Sequence, residues 1–342
     1  MQIAPVRATP LNRVSAVSKK LDPALRRRAL LAAGLALAAP LAFAQSYPSK
    51  PVRLLVGYNA GGGVDAMARM LAQRLSAVLG QQVVIENRSG ASGMIAADLV
   101  AKSPPDGYTL LMGESGMLIN SILQPRAGLD PIRSFTPVAG TFIAPLLIVA
   151  NNDFPASNPE ELVSVLKANP GRYSYATSGV GTVQHLGFEL LKAQVHAFIV
   201  HIPYRGAAQI VPDVISGQVP LGVVSAAAGL AQAKAGRLKA VAVMSTGKLA
   251  GAESIAPMAD ALPGFDVAPR LMLLGPAGMP APVVGKISEA TRTVLASADL
   301  ANAAAQQGGV PAYLGPDELG PDLGRELAEW ARIVKAQRIS VE

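Results

Sequence analysis

Val52-Arg53-Leu54-Leu55-Val56-Gly57-Tyr58-Asn59-Ala60-Gly61-Gly62-Gly63-Val64-Asp65-Ala66-Met67-Ala68-Arg69 decides the fold class. Residues 52–57 form an apolar run of strand length, and the run stops at three consecutive glycines. Beyond them Met67, Met70, Leu71, Leu75 and Val78 recur at helical spacing, which predicts a helix over 64–79 with one buried face. A buried strand, a tight turn and an amphipathic helix make the first βα unit of an α/β chain.

The same alternation continues outward. Strands are expected at 82–86, 109–113, 146–150, 173–176, 198–202, 219–224, 239–244 and 266–275. Helices are expected at 94–101, 159–168, 182–194, 207–216, 230–235, 282–296, 299–307 and 316–337. There is no repeat of fixed period and no low-complexity linker. Two βα sets without a flexible linker suggest two lobes joined by strands. The apolar stretches 138–150 and 266–275 are the expected crossing strands, and the C-terminal helices are expected to pack back on the first lobe. A cleft between lobes is where a small ligand binds.

The glycine turn has a chemical reading as well as a structural one. Glycines at a strand-to-helix turn let successive backbone N–H groups face outward at the positive end of the helix dipole, where an anion is favoured. Tyr58, Ala60, Gly61 and Gly62 line this turn, and Asp65 in the first helical turn can cap amides. A plain βα turn would account for the glycines equally well. Thr177-Ser178-Gly179-Val180-Gly181-Thr182-Val183-Gln184-His185 offers a second such turn, with Ser178 and Thr182 hydroxyls and His185 on the first helical turn. Thr182 is also an ordinary helix cap, and His185 reads more readily as a packed histidine than as a catalyst. Tyr204-Arg205-Gly206-Ala207 repeats the strand-to-helix arrangement, and Glu114-Ser115-Gly116 follows the third strand.

Composition removes several function classes. The 342 residues contain no Cys, which excludes disulfides, thiolate metal sites and a Cys nucleophile. The three histidines, His185, His196 and His201, lack the i, i+4 spacing of a helical zinc site, so no metal or cofactor is expected. A net charge of +7 suggests a polyanion partner until the charge is mapped. Residues 1–44 hold seven of the 30 basic residues and one of the 23 acidic ones, so the remainder carries 23 against 22. A near-neutral body has no footprint for nucleic acid.

Residues 1–44 read as an export signal. Arg26-Arg27-Arg28 precedes the apolar run 29–39, and Ala42-Phe43-Ala44 supplies a cleavage site. The run is too short to span a bilayer. It fits a Sec signal and, through the adjacent arginines, a Tat signal, and the mature chain is expected in the periplasm. Enzyme motifs are missing. Gly113-Glu114-Ser115-Gly116-Met117 fails G-x-S-x-G at its last place, Gly247-Lys248 is followed by Leu249, and the glycine turns do not complete G-x-G-x-x-G. Ser178 and His185 share a helix face about 10 Å apart at 1.5 Å per residue, too far for a nucleophile and its base.

The chain resembles the tripartite tricarboxylate transporter substrate-receptor family, the Bug periplasmic solute-binding proteins. The resemblance covers residues 47–338 and rests on an ordered set: YPSKPVRLLVGYNAGGGVDAMAR, QQVVIENRSGASG, PPDGYTLLMGESG, DPIRSFTPVA, YATSGVGTVQHLG, HIPYRGAA, SGQVPLGV, AGRLKAVAV and LLGPAGMP. It implies an α/β, type II-like two-lobe periplasmic binding fold. Lobe 1 would take residues 45–140 with 268–342, and lobe 2 residues 141–267. It also implies a small organic anion such as a di- or tricarboxylate, held largely by backbone amides, and handover to membrane transporter subunits without chemistry on the ligand. A monomer is expected. The ligand set carried over is Tyr58, Ala60, Gly61, Gly62, Asp65, Ser115, Ser178, Thr182, His185, Tyr204, Gly206 and Ala207. The chain departs from the family pattern at Asn59-Ala60, where a proline pair is usual, at Ser89 before Gly90, where Pro is common, and at Val224, where an Asp often closes the strand; Glu114 also stands where a small hydroxyl residue is usual, and Arg270 where an aromatic is usual. The departures with a consequence for the cleft are Glu114 and Arg270. Both are expected to face the cleft, paired with each other or touching ligand. The same cleft would serve a ligand-gated partner of a sensor.

Overall fold

The computed structural model describes residues 47–125, 129–204 and 207–340. The export signal read over 1–44 lies outside them. In chain order come β1 (Val52–Val56), α1 (Gly63–Leu79), β2 (Val83–Asn87), α2 (Met94–Ala101), β3 (Thr109–Glu114), α3 (Ser115–Leu123) and β4 (Phe135–Ile143). β5 (Leu146–Ala150), α4 (Pro159–Ala168), β6 (Ser174–Thr177), α5 (Val183–Val195) and β7 (Val200–Pro203) follow. Next are α6 (Ala207–Ser216), β8 (Leu221–Ser225), α7 (Ala226–Lys234) and β9 (Lys239–Val243). The chain returns through β10 (Arg270–Pro276), α8 (Ala281–Leu295), α9 (Ala298–Gln306), β11 (Val310–Leu314) and α10 (Pro316–Gln337).

Two sheets form, in the orders β11-β4-β10-β3-β1-β2 and β7-β6-β8-β5-β9. Strands β1, β2 and β3 are parallel, as are β6, β7 and β8, while β4, β10 and β11 in one sheet and β5 and β9 in the other run antiparallel to their neighbours. Period-2 alternation sorts the first sheet's side chains. Leu54, Val56, Leu110, Met112, Leu271 and Leu273 face α1, α8 and α9. Leu55, Leu111, Met272 and Leu274 face α2, α3 and α10, and that core continues without a break into Leu146, Ile148, Phe188 and Leu221 of the second lobe. Each such fully buried aliphatic side chain contributes about 1.5–3 kcal/mol.

The lobes are joined by two crossovers. The apolar stretch 138–150 is not one crossing strand: it is β4 and β5, broken at Ala144-Pro145. Proline has no N–H for the ladder, so the strand ends there and changes sheet. The returning crossover reaches its strand only at Arg270, after Pro269, and Ala144 N–H donates to Pro269 O at 2.8 Å. Ala226 N–H donates to Pro145 O at 2.9 Å and Val267 N–H to Met244 O at 2.8 Å, so both crossovers are tied to each other and to the second sheet.

Three elements differ from expectation. Helix α3 follows β3 directly, because Glu114 serves as its cap: the carboxylate accepts from Gly116 N at 2.9 Å. Helix α7 starts at Ala226, four residues earlier than the apolar pattern indicated, because Ser225 caps it. Strand β11 contains Pro311 and lies at the sheet edge, where a missing donor is tolerated.

Candidate functional site

Five strand-to-helix junctions sit at the carboxyl ends of parallel strands, where open α/β sheets place their ligands. They are β1–α1, β3–α3, β6–α5, β7–α6 and β8–α7. Helix α3 links the two lobes' junctions. Its first residues touch Tyr58, and its last, Leu123, lies against Gly181, where an added Cβ would fall 2.8 Å from Leu123 Cδ1. A second contact between lobes is at Gly308, whose φ is +68° and where a Cβ would fall 2.5 Å from Ala227 N.

At the first junction Gly57 has no room for a side chain, since a Cβ there would stand 2.3 Å from Gly93 Cα. That close approach fixes where the following loop leaves the sheet. Asp65, 1% exposed, then organises the loop from beneath. Its Oδ2 accepts from Gly61 N at 2.8 Å and from Arg69 Nε at 2.9 Å, and its Oδ1 accepts from Asn87 Nδ2 at 2.8 Å. Burial pushes this carboxyl up, but the Arg69, Asn87 and Gly61 donors outweigh it and hold it below its ordinary value.

This corrects one expectation. The Gly61 amide is not free for a ligand, and the Gly62 amide donates to Asn59 O at 3.2 Å. Among the described residues, the amides of Gly63, Val64 and Asp65 are those without a protein acceptor at this helix start. The exposed segment 59–63, with Ala60 in it, lies over them.

Tyr58 and Glu114 are brought together. The half-buried Tyr58 donates its phenol to Glu114 Oε2, which also accepts from Gly116 N. Burial, the largest influence, pushes the Glu114 carboxyl up to about 7 against the two donors, with nearby Glu326 adding to the rise. Ser115, fully buried, accepts from Arg270 N at 2.9 Å. Glu114 and Arg270 do not pair: the Arg270 guanidinium goes to Asp322 Oδ2 on α10, at 3.0 Å. Strand parity is the reason, since Arg270 points to the face that α10 covers.

At the second junction the Gly181 amide donates to His185 Nδ1 at 3.3 Å, and Thr182 caps α5 by accepting from His185 N at 3.3 Å. The Thr182 hydroxyl donates to Gly179 O at 2.8 Å. His185 is buried and stacks on His201, ring centroids 4.0 Å apart, while His201 Nε2 lies 2.7 Å from Thr177 Oγ1. Burial lowers both imidazoles; His201, further disfavoured by His185 and Lys192, falls to about 3. His185 therefore shapes the loop as a neutral acceptor. With its Nδ1 engaged, it is not poised as a base for Ser178, which is half-buried on the same turn.

Tyr204 is held by Asp213, its phenol donating at 2.5 Å, and that bond raises its pKa to about 12. Its backbone N–H donates to Thr177 O, which ties the third junction to the second. Ala207 opens α6, and Gly206 lies outside the described residues.

Two contributors escaped the sequence reading. Asn87, at the end of β2, braces Tyr58 O at 3.0 Å as well as Asp65. Ser225 caps α7, and the serine before a run of alanines was its only sign. Among the described residues no group of three His, Asp or Glu is placed to hold a metal ion.

Residues 67–338 match the family model described as tripartite tricarboxylate transporter family receptor. BugT of Bordetella pertussis is 32% identical over 302 residues, covering 87% of this chain and 92% of that protein. The periplasmic binding protein BugD superposes with a TM-score of 0.74 at 30% identity, covering 86% of this chain and all of that one. Rpa4515 of R. palustris, solved with adipate, gives 0.77 at 31% identity, covering 86% and 99%. MatC of Rhodopseudomonas palustris, solved with malate, gives 0.72 at 27%, covering 84% and 100%. The fold is the two-lobe α/β periplasmic binding architecture, and the matching family is one of receptors rather than enzymes. The chain belongs to the tripartite tricarboxylate transporter family of receptors.

Proposed function

We propose that this receptor captures a small organic anion of the di- or tricarboxylate class in the periplasm and delivers it to a tripartite tricarboxylate-type membrane transporter. The observation that carries the reading is the pair of helix starts, α1 and α5, one in each lobe, each with main-chain amides that have no acceptor among the described residues. Gly63 and Val64 supply them on one side, Val183 and Gln184 on the other. A dicarboxylate has two charged ends for two such seats. Each helix-end contact contributes about 0.3–2 kcal/mol, and each charge-assisted hydrogen bond about 1.5–3 kcal/mol. Several together reach roughly −8 kcal/mol, or micromolar affinity.

In this reading Tyr58, Ala60, Gly61, Gly62, Asp65 and Ser115 shape the wall from lobe 1. Ser178, Thr182, His185, Tyr204, Gly206 and Ala207 shape it from lobe 2. Lobe 1 is 45–143 with 268–342, because β4 runs to Ile143 in the first sheet rather than ending at 140, and lobe 2 is 144–267. The lobes close by bending at the Ala144–Pro269 crossovers. Residues 1–44 direct export and are removed, and the receptor works as a monomer. Adipate and malate in two structural neighbours support a carboxylate as the ligand class.

Thermal denaturation of the purified chain against mono-, di- and tricarboxylates tests this. A cognate acid at 100 times its Kd adds about 2.7 kcal/mol of stability. If every carboxylate leaves the midpoint unchanged while an amine or sugar raises it, the ligand class is wrong.

A further inference from the structure

His201 on β7 has no place in the ligand set above, yet it packs directly against the turn that opens α5. Strand register puts it there. Tyr175 pairs with His201 and Thr177 with Pro203, so Tyr175, Thr177 and His201 point to one face of the second sheet. Helix α5 covers that face with His185 and Glu189, one helical turn apart: His185 stacks on His201, and Glu189 Oε1 accepts from the Tyr175 hydroxyl at 2.6 Å.

The two imidazoles hold the two ends of the glycine turn. His185 Nδ1 accepts from Gly181 N at 3.3 Å. His201 Nε2 lies 2.7 Å from Thr177 Oγ1, and that hydroxyl lies 3.3 Å from Gly179 N and 3.2 Å from Gly179 O. The rings themselves stack with centroids 4.0 Å apart and planes 19° apart, which couples one end of the turn to the other. Gly179 and Gly181 have φ of +133° and +77°, a backbone with wide freedom that side-chain contacts must restrict.

A count of donors and acceptors fixes the tautomers. The Thr177 hydroxyl has one hydrogen and two lone pairs. It donates to Gly179 O and accepts from Gly179 N, so His201 meets the remaining lone pair as an Nε2–H donor. His185, an acceptor at Nδ1, carries its own proton at Nε2, on the side of Glu189 Oε1 at 3.9 Å. That carboxylate oxygen is already taken by the Tyr175 hydroxyl and by Lys192 Nζ at 2.6 Å. Every polar group around the two rings then has a consistent role with both rings neutral.

We infer that His201 is a positioning residue for ligand binding: by donating to Thr177 and stacking on His185, it fixes the Gly179–Gly181 turn in the arrangement that presents the Val183 and Gln184 amides to a ligand carboxylate. The inference rests on the receptor reading above and adds to it a residue that acts on the ligand only through others. A turn left loose must be ordered when the ligand arrives, and that ordering is subtracted from the binding free energy.

His201→Gln and His201→Leu separate the hydrogen bond from the packing. A glutamine can place its amide N–H near the position of Nε2, whereas a leucine fills space and donates nothing. Amide exchange at Gly179 and Gly181 in the ligand-free chain is expected to quicken about tenfold in His201→Leu and to stay near wild type in His201→Gln. Dissociation constants for succinate, malate, adipate and citrate are expected to follow, with about fivefold weaker binding in His201→Leu and recovery in His201→Gln. Should His201→Leu fail to fold, Thr177→Val removes the hydroxyl through which His201 acts and is expected to give the same two losses. Where both fold, the double variant is expected to lose no more than either alone, since one contact is being removed twice. Wild-type exchange and affinity in His201→Leu or in Thr177→Val, failure of His201→Gln to restore them, or additive losses in the double variant overturn the assignment. If none of the four acids binds the wild-type chain, the receptor reading fails and takes the ligand role of His201 with it; if they bind and the variants bind equally well, this inference alone fails.

Discussion

The Tyr58 phenol donates to the Glu114 carboxylate at the start of α3, and the same carboxylate oxygen accepts from Gly116 N. That helix start is thus occupied by the chain's own carboxyl group. In the proposed reading a ligand carboxylate has its seats at α1 and α5 rather than at α3. Glu114 also binds the first loop to α3, so its charge state bears on loop position as well as on stability.

Glu114→Gln keeps a hydrogen-bonding side chain and removes the ionisation. The folded pKa of about 7 stands above the 4.5 of an ordinary glutamate, so the native state holds a proton that the unfolded chain releases. Wild-type stability from this group therefore falls as pH rises from about 4.5 through 7. The ceiling is about 3 kcal/mol at 1.36 kcal/mol per pH unit. Urea denaturation at pH 5 and pH 8 is expected to show the variant gaining on wild type at the higher pH. Parallel profiles would falsify the buried-carboxylate account.

Asp65→Ala removes the acceptor for Gly61 N, Arg69 and Asn87 at once. A loss of about 2 kcal/mol is expected at pH 7, from orphaned donors around a buried site. Because the Asp65 pKa is held low in the folded state, its contribution is present above the ordinary aspartate value of 3.8 and fades as pH falls below it. Denaturant midpoints at pH 7 and pH 3 check both statements, and a variant equally weakened at the two pH values contradicts the second.

His201 resists protonation in the folded state, with a pKa near 3 against 6.5 for a free imidazole. The unfolded chain takes up the proton first, so stability is lost as pH drops from 6.5 toward 3, at about 1.4 kcal/mol per pH unit for one proton. His201→Gln is expected to flatten the acid limb of the stability profile. Between pH 4.5 and 6.5 this slope opposes that of Glu114, so the two are separated only in the single variants.

Gly57→Ala places a methyl group 2.3 Å from Gly93 Cα, a contact with backbone that cannot rotate away. Overpacking of this kind costs about 1–3 kcal/mol. The expected outcome is a lower denaturation midpoint together with faster amide exchange over residues 58–65. Wild-type exchange in that loop would mean that the glycine pair does not set its position.

Much of the fold was readable because its signals are local. The run Val52–Val56, the glycines at 61–63 and the helical spacing of Met67, Leu71 and Leu75 each report on a few adjacent residues. Where a boundary depended on a cap, the apolar pattern misled. Helix α7 begins right after Ser225 and α3 right after Glu114 because these single side chains satisfy the first amides, which hydrophobic periodicity does not register. The division of residues 138–150 into two strands turned on Pro145, which the apolar count passed over.

By itself the sequence determined the α/β class, the two glycine turns at strand-to-helix junctions and the near-neutral charge of the body. Tertiary structure alone decided that the Gly61 and Gly181 amides are taken by Asp65 and His185, that Glu114 meets Tyr58 rather than Arg270, and that Arg270 pairs instead with Asp322 on α10. The reason is distance along the chain: strand and helix periodicity is written in neighbouring residues. Hydrogen-bond partners 56 positions apart, as Tyr58 and Glu114 are, exist only once the packed sheets have brought them together.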